Sequence, residues 1–284
     1  MNASANLPAK PSDNPDSHTM PLIEHLMELR KRLIFSIAAL IIAFGVSMSF
    51  AKEIFAFLVV PLEKAERAAG HPLQPMIYTQ LTEAFMTEMK VAFFSAAFIT
   101  FPIFANQLWK FVAPGLYRHE KRAILPFLFA APVLFFMGGA LAYYVIMPMA
   151  WKFFLGFQTT GVEGSIPIQL AARVGEYLTI VMQLIFAFGL AFQMPVLFIL
   201  LARVGVISAK GLAEKRRYAI ILVFIFAAVV TPPDVISQLS LAVPMCILYE
   251  ASIIGARFVE KKREEETAAE ANDTSADDTD FNAA

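Results

Sequence analysis

The sequence predicts an all-α integral membrane protein. Six transmembrane helices, several of them bent by proline, form a concave bundle with both termini in the cytoplasm. Three observations predict this: charge is scarce, apolar runs are long, and Lys and Arg gather in alternate connections. Of 284 residues, 58% are hydrophobic and 17% are charged, against roughly 25% charged in a soluble domain. About 20 apolar residues cross a bilayer as a helix, and charge-free runs cover residues 123–151 and 177–202. Their pattern has neither a period of 2 nor an amphipathic 3.6, which excludes β-barrel strands.

The first span, residues 33–50, follows the basic Arg30, Lys31 and Arg32. Before it, Leu22, Leu26, Leu29 and Leu33 recur at helical spacing, which predicts an amphipathic helix on the inner membrane surface. The second span is 84–104, the third 123–148 and the fourth 177–202. The fifth and sixth, 218–230 and 235–256, are separated by the "TPPD" of residues 231–234. Two prolines remove two backbone donors there and disfavour a continuing helix. One helix over both segments would be about twice the hydrocarbon thickness, so a hairpin is expected with a short first leg.

Orientation follows from the cations. With both ends inside, the cytoplasmic segments hold 17 of the 23 Lys and Arg residues. The outer connections, 51–83 and 149–176, are long enough for structured caps. Residues 1–20 are polar and Pro-rich, without the apolar core of a signal peptide, and are expected to be disordered. Residues 21–257 form the membrane domain, and the acidic 258–284 are expected to be a disordered tail.

No P-loop, GxGxxG or HExxH motif occurs, and the four histidines form no metal-ligand pattern. The chain therefore reads as a non-enzyme with no cofactor, no metal and no nucleic-acid partner. Energy for any transport would come from a partner or from the membrane potential. Cys246, the one cysteine, is read as a packing residue.

A few polar groups invite function, each with a plainer alternative. Glu28 either pairs with Arg32 one turn on or accepts an external cation. Glu120, in "FVAPGLYRHEKR" at residues 111–122, either sits at a favourable helix start or grips a visiting cation. Gln193 needs a hydrogen-bond partner in hydrocarbon, either a neighbouring helix or a ligand. Asp234 can cap the sixth helix, and Gln238 lies one turn further on. Prolines at 102, 126, 132, 195 and 244 lie inside spans; each frees a carbonyl, and together bent helices can build a concave wall.

"HLMELRKRL", "FVAPGLYRHEKR" and "TPPDVISQ" occur in that order among the six spans. In this the chain closely resembles the TatC family, core subunits of the twin-arginine (Sec-independent) protein translocase, from residue 21 to residue 257. The resemblance implies a bacterial inner-membrane receptor for the twin-arginine signal peptides of folded proteins. It implies work with TatA-like and TatB-like single-span partners in membrane lipid, a homo-oligomeric receptor complex, and the proton motive force. It places the signal site on Glu28, Glu120, Arg30, Phe111 and Tyr117. Gln193, Thr231, Asp234 and Gln238 become intramembrane or partner-helix positions, and Pro61 and Pro114 structural ones. Two guanidiniums suit two carboxylates, each accepting a forked, charge-assisted pair. Many family members carry glutamate where this chain has Gln193, and an amide cannot titrate there. A small-solute transporter or a ligand-free scaffold are the competing readings; no internal repeat supports the former.

Overall fold

The structure is a computed structural model, and it describes residues 22–70, 74–112, 121–159, 166, 168–231 and 235–281. It is built from helices in chain order: α1 (Leu22–Ser49), α2 (Ala51–Ala68), α3 (Glu83–Val112), α4 (Lys121–Leu141), α5 (Met147–Leu155), α6 (Val174–Ala191), α7 (Met194–Val204), α8 (Ala209–Glu214), α9 (Arg216–Val230) and α10 (Val235–Phe281). Among the described residues, β pairing is confined to two isolated bridges, Ile77 with Arg173 and Thr159 with Ile168.

Five stretches are long and apolar enough to cross a membrane: Leu26–Ser49, Glu83–Leu108, Leu128–Leu155, Val174–Val204 and Val235–Glu265. α9 has 15 residues, only about 22 Å at 1.5 Å per residue, short of the roughly 30 Å of hydrocarbon. α1 packs along α3, α4 along α6, and α7 along α10, with α9 against α10. Large apolar side chains on the outside, such as Ile41, Ile42, Phe129 and Val229, stay exposed, as suits a lipid-facing surface.

Three boundaries differ from the sequence expectation. α1 is one unbroken helix from Leu22, so the amphipathic segment is continuous with the first span instead of a separate surface helix. No Gly or Pro interrupts "HLMELRKRL", and its residues are good helix formers. The third apolar helix runs past Pro148 to Leu155. A π turn over Ala142–Ile146 absorbs that proline's missing donor, with the Met147 N–H bonding the Ala142 carbonyl five residues back. Beyond residue 257, where composition predicts disorder, α10 continues to Phe281. Its "EKKREEETAAEA" is rich in helix-favouring residues.

The fourth apolar segment is divided. α6 stops at Ala191 and α7 starts at Met194. Pro195 has no N–H to offer the Ala191 carbonyl, and the Gln193 N–H instead bonds Leu190, three residues back. α7 then ends in a Schellman turn: Gly205 takes φ +81°, its N–H bonds Ala202, and the Val206 N–H bonds Leu201.

The core centres on the α4–α6 crossing. Gly138 and Gly189 let the two backbones approach closely. A Cβ on Gly138 would stand 2.5 Å from the Phe188 carbonyl oxygen, and one on Gly189 would stand 2.7 Å from the Phe135 ring. Phe135, fully buried, stacks on Phe101 from α3 with ring centroids 3.6 Å apart.

α2 covers one end of this core, burying Leu58, Pro61, Leu62 and Ala65. Pro61 lies inside α2 and deprives the Phe57 carbonyl of its donor. The Tyr143 hydroxyl donates to that carbonyl at 2.6 Å, and its ring stacks on Phe57 at 4.4 Å. One residue on, the Tyr177 hydroxyl donates to the Leu58 carbonyl at 2.9 Å. So the third and fourth apolar helices both hold the α2 backbone.

A second clamp closes the same end. Glu83, buried at the start of α3, accepts from the backbone N–H groups of Thr79 at 2.9 Å, Gln80 at 3.3 Å and Gly175 at 3.2 Å. Arg173 stands 3.7 Å from the same carboxylate, donates to the Thr79 hydroxyl at 2.8 Å and pairs with Glu176. The Ile77–Arg173 bridge joins the two segments beside it.

Two outcomes follow. Tyr143→Phe leaves the Phe57 carbonyl without a donor and should cost about 1–3 kcal/mol. Pro61→Ala supplies a backbone donor, so a double-mutant cycle read by thermal melting in detergent should show coupling; additive effects would contradict the assignment. Glu83→Gln weakens three backbone hydrogen bonds. Limited proteolysis should then cut residues 76–80 faster while helix content by circular dichroism stays constant.

Candidate functional site

Helices alternate in direction, so the end opposite α2 collects the start of α1, the end of α3, the Gly205–Lys215 turn and the middle of α10. It is the basic end. Here Glu28 and Arg32 form an i,i+4 ion pair on α1, the plainer of the two sequence readings for Glu28. The pair is half-made. Arg32 Nη2 bonds Glu28 Oε1, while Glu28 Oε2 and Arg32 Nε are enclosed and have no hydrogen-bond partner among the described residues. Both side chains are shielded, at 25% and 19% exposure.

They line a groove of about 530 Å³ between α1 and α3. Met27 and Phe35, both more than half exposed, supply apolar walls, and Lys31 and Gln107 complete the lining. Glu28 thus lines the groove in a partly dry setting with apolar surface beside it, one carboxylate oxygen bonded to Arg32 and the other enclosed. That is suited to a cation carried on an otherwise apolar chain. Gln107 was not singled out in the sequence, although "ANQ" breaks the apolar run at the end of the second span.

The other expected site residues separate into groups. Arg30 is exposed and lies two residues from Glu28, about 200° around the helix, so it does not line this groove. Phe111 is half-buried near the end of α3. Glu120, Tyr117 and Pro114 lie outside the described residues, as does Asp234.

Gln193 is half-buried at the α6–α7 break and donates from Nε2 to the Ala131 carbonyl of α4 at 2.9 Å. Its amide therefore ties two helices across the core. Thr231 is buried at the end of α9, its hydroxyl donating to the Ala227 carbonyl at 2.9 Å. Gln238 reaches from α10 to the Phe224 carbonyl of α9 at 3.3 Å. Further toward the basic end, Tyr249 donates to the Leu212 carbonyl at 2.8 Å, Arg216 pairs with Glu250 at 2.8 Å, and Glu260 accepts from the Ala209 N–H at 2.7 Å. These bonds hold the turn carrying α8 onto α10. Among the described residues, no group of three or more His, Cys, Asp or Glu side chains is placed to hold a metal ion.

Comparison with known proteins gives one consistent result. Residues 24–244 match the family profile described as "Sec-independent protein translocase protein (TatC)". A relative of that name from Magnetococcus marinus is 49% identical over 257 residues, covering 90% of this chain and 91% of its own. The Escherichia coli K12 protein of that name is 38% identical over 240 residues, covering 84% and 89%. A crystal structure described as the twin arginine translocase receptor TatC superposes with a TM-score of 0.72 at 36% identity. It covers 83% of this chain and 99% of its own. A second crystal structure, described as that receptor in DDM, gives a TM-score of 0.71 at 37% identity and covers 81% of this chain and 98% of its own. Three motifs in order, an α-helical fold with five long apolar helices and these matches agree: the chain belongs to the TatC family of Sec-independent protein translocase proteins.

Proposed function

We propose that this chain is the receptor and core subunit of a twin-arginine translocase. It binds the signal peptides of folded proteins at its cytoplasmic face and, with TatA-like and TatB-like partners, passes them across the bacterial inner membrane. The observation that carries this reading is the half-used carboxylate of Glu28, a residue that lines a groove at the basic end of α1. A signal-peptide arginine takes its free oxygen, and Glu120 takes the second arginine. The apolar walls at Met27 and Phe35 receive the greasy part of the signal.

In this reading α9 is a short sixth span. The basic end faces the cytoplasm with both termini, since Lys and Arg favour that side. A first leg of about 22 Å thins the bilayer around it or leans on α10. Gln193, Thr231, Asp234 and Gln238 meet a partner helix or the inserted signal. Because Gln193 holds no titrating proton, proton-motive drive acts elsewhere in the assembly. The sequence has no nucleotide-binding motif, which fits such a drive.

The test is signal-peptide binding to the chain in nanodiscs. A lost charge-assisted hydrogen bond costs about 1.5–3 kcal/mol, so Glu28→Gln and Glu120→Gln should each weaken binding of an Arg-Arg peptide roughly 10- to 100-fold. The double variant should abolish both photocrosslinking and export in cells lacking the native subunit. Arginine-dependent binding that survives the double change would overturn the site.

A further inference from the structure

The Glu28–Arg32 pair is more than a helix-surface ion pair, because of the atoms it leaves idle. A guanidinium beside a carboxylate can make two parallel bonds. Held one turn apart on the same helix, Arg32 makes one, through Nη2 to Oε1. Its Nε and the Glu28 Oε2 are enclosed without partners among the described residues. Both side chains are largely shielded, so water does little to repair the missing bonds. A guanidinium arriving from the groove is not tethered to the same helix and, once Arg32 swings aside, can face the whole carboxylate.

We propose that Arg32 is an internal stand-in for the arginine of the incoming signal. It occupies Glu28 while the groove is empty and is displaced when a ligand arginine makes the forked pair. This inference rests on the receptor reading given above and adds its regulation. Displacement exchanges one bond for two when the visitor is arginine. A lysine is a point charge without the planar fork, so it exchanges one bond for one and gains nothing. Arg32 thus sets a threshold that a single ammonium does not pass, and it prevents Glu28 from holding stray cations. Gln107 lines the same groove and carries an amide oxygen, an acceptor for the displaced guanidinium. The apparent affinity of the receptor is lower than its groove could give, which lets the signal leave again.

The experiment measures binding of a synthetic peptide with two adjacent arginines followed by an apolar segment, and of its Lys-Lys counterpart, to the full chain in nanodiscs. Arg32→Gln should tighten the Arg-Arg peptide about 2- to 10-fold, the range between an i,i+4 pair and a shielded charged hydrogen bond. It should also bring the Lys-Lys peptide into measurable binding. Lys31→Gln removes a neighbouring charge that is not paired to Glu28 and should give a smaller gain, which separates pairing from net charge. In a Glu28→Gln background the Arg32→Gln gain should vanish. If Arg32→Gln does not stay monodisperse, Arg32→Lys keeps the cation without the fork and should shift affinity the same way by less. Unchanged or weaker binding by a monodisperse Arg32 variant overturns the stand-in role, as does a gain that persists without Glu28. Glu28→Gln that binds like the unaltered chain would instead overturn the receptor site itself.

Discussion

A backbone carbonyl shielded from water must find a donor, and much of this structure is organised by that demand. Among the described residues, five side chains reach to a carbonyl of another helix. Tyr143 and Tyr177 serve Phe57 and Leu58, Gln193 serves Ala131, Gln238 serves Phe224, and Tyr249 serves Leu212. Between apolar helices in lipid there is little hydrophobic force to select one arrangement. Directional bonds of this kind, with close glycine crossings, supply the selection instead. Pro61 illustrates the logic: a proline creates a vacancy on α2, and a tyrosine from another helix fills it, fastening α2 over the core.

The candidate site depends on the same rule applied incompletely. Glu28 and Arg32 are shielded, yet they make only one of the two bonds their shapes allow. The unused oxygen and nitrogen are a standing capacity for exchange. At the α2 end, Glu83 is the opposite case, with its carboxylate fully engaged by three backbone donors and beside Arg173. The two glutamates differ in how many donors their surroundings supply: three backbone N–H groups reach Glu83, and one guanidinium nitrogen reaches Glu28 among the described residues. The chain's TatC-family membership gives that capacity its biological setting.

Much of the fold was legible because lipid imposes a simple code. Apolar runs over 33–50, 84–104, 123–148, 177–202 and 235–256 mark the five long helices, and the double proline after Thr231 marks the hairpin. Errors arose where backbone chemistry was local and cooperative. Pro148 reads as a stop, but a π turn absorbs it; Pro195 reads as a bend, but it divides α6 from α7. The segment before the first span reads as a helix on the membrane surface, but helix propensity carries α1 unbroken through "RKR". For the site, Glu28 and its Arg32 partner follow from helical spacing. Gln107 and the apolar walls do not, because they meet Glu28 only through the packing of α3 against α1.

The sequence by itself determined the membrane class, the five long apolar segments, the basic end and the family. Those properties are read residue by residue, from hydropathy, charge and short motifs. Only the tertiary structure decided that Arg30 faces away from the groove, that Gln193 bridges to Ala131, and that Glu28 keeps one oxygen idle. These depend on helix rotation and on donors brought from distant positions, and no spacing along one chain encodes which lone pairs a neighbour will leave unfilled.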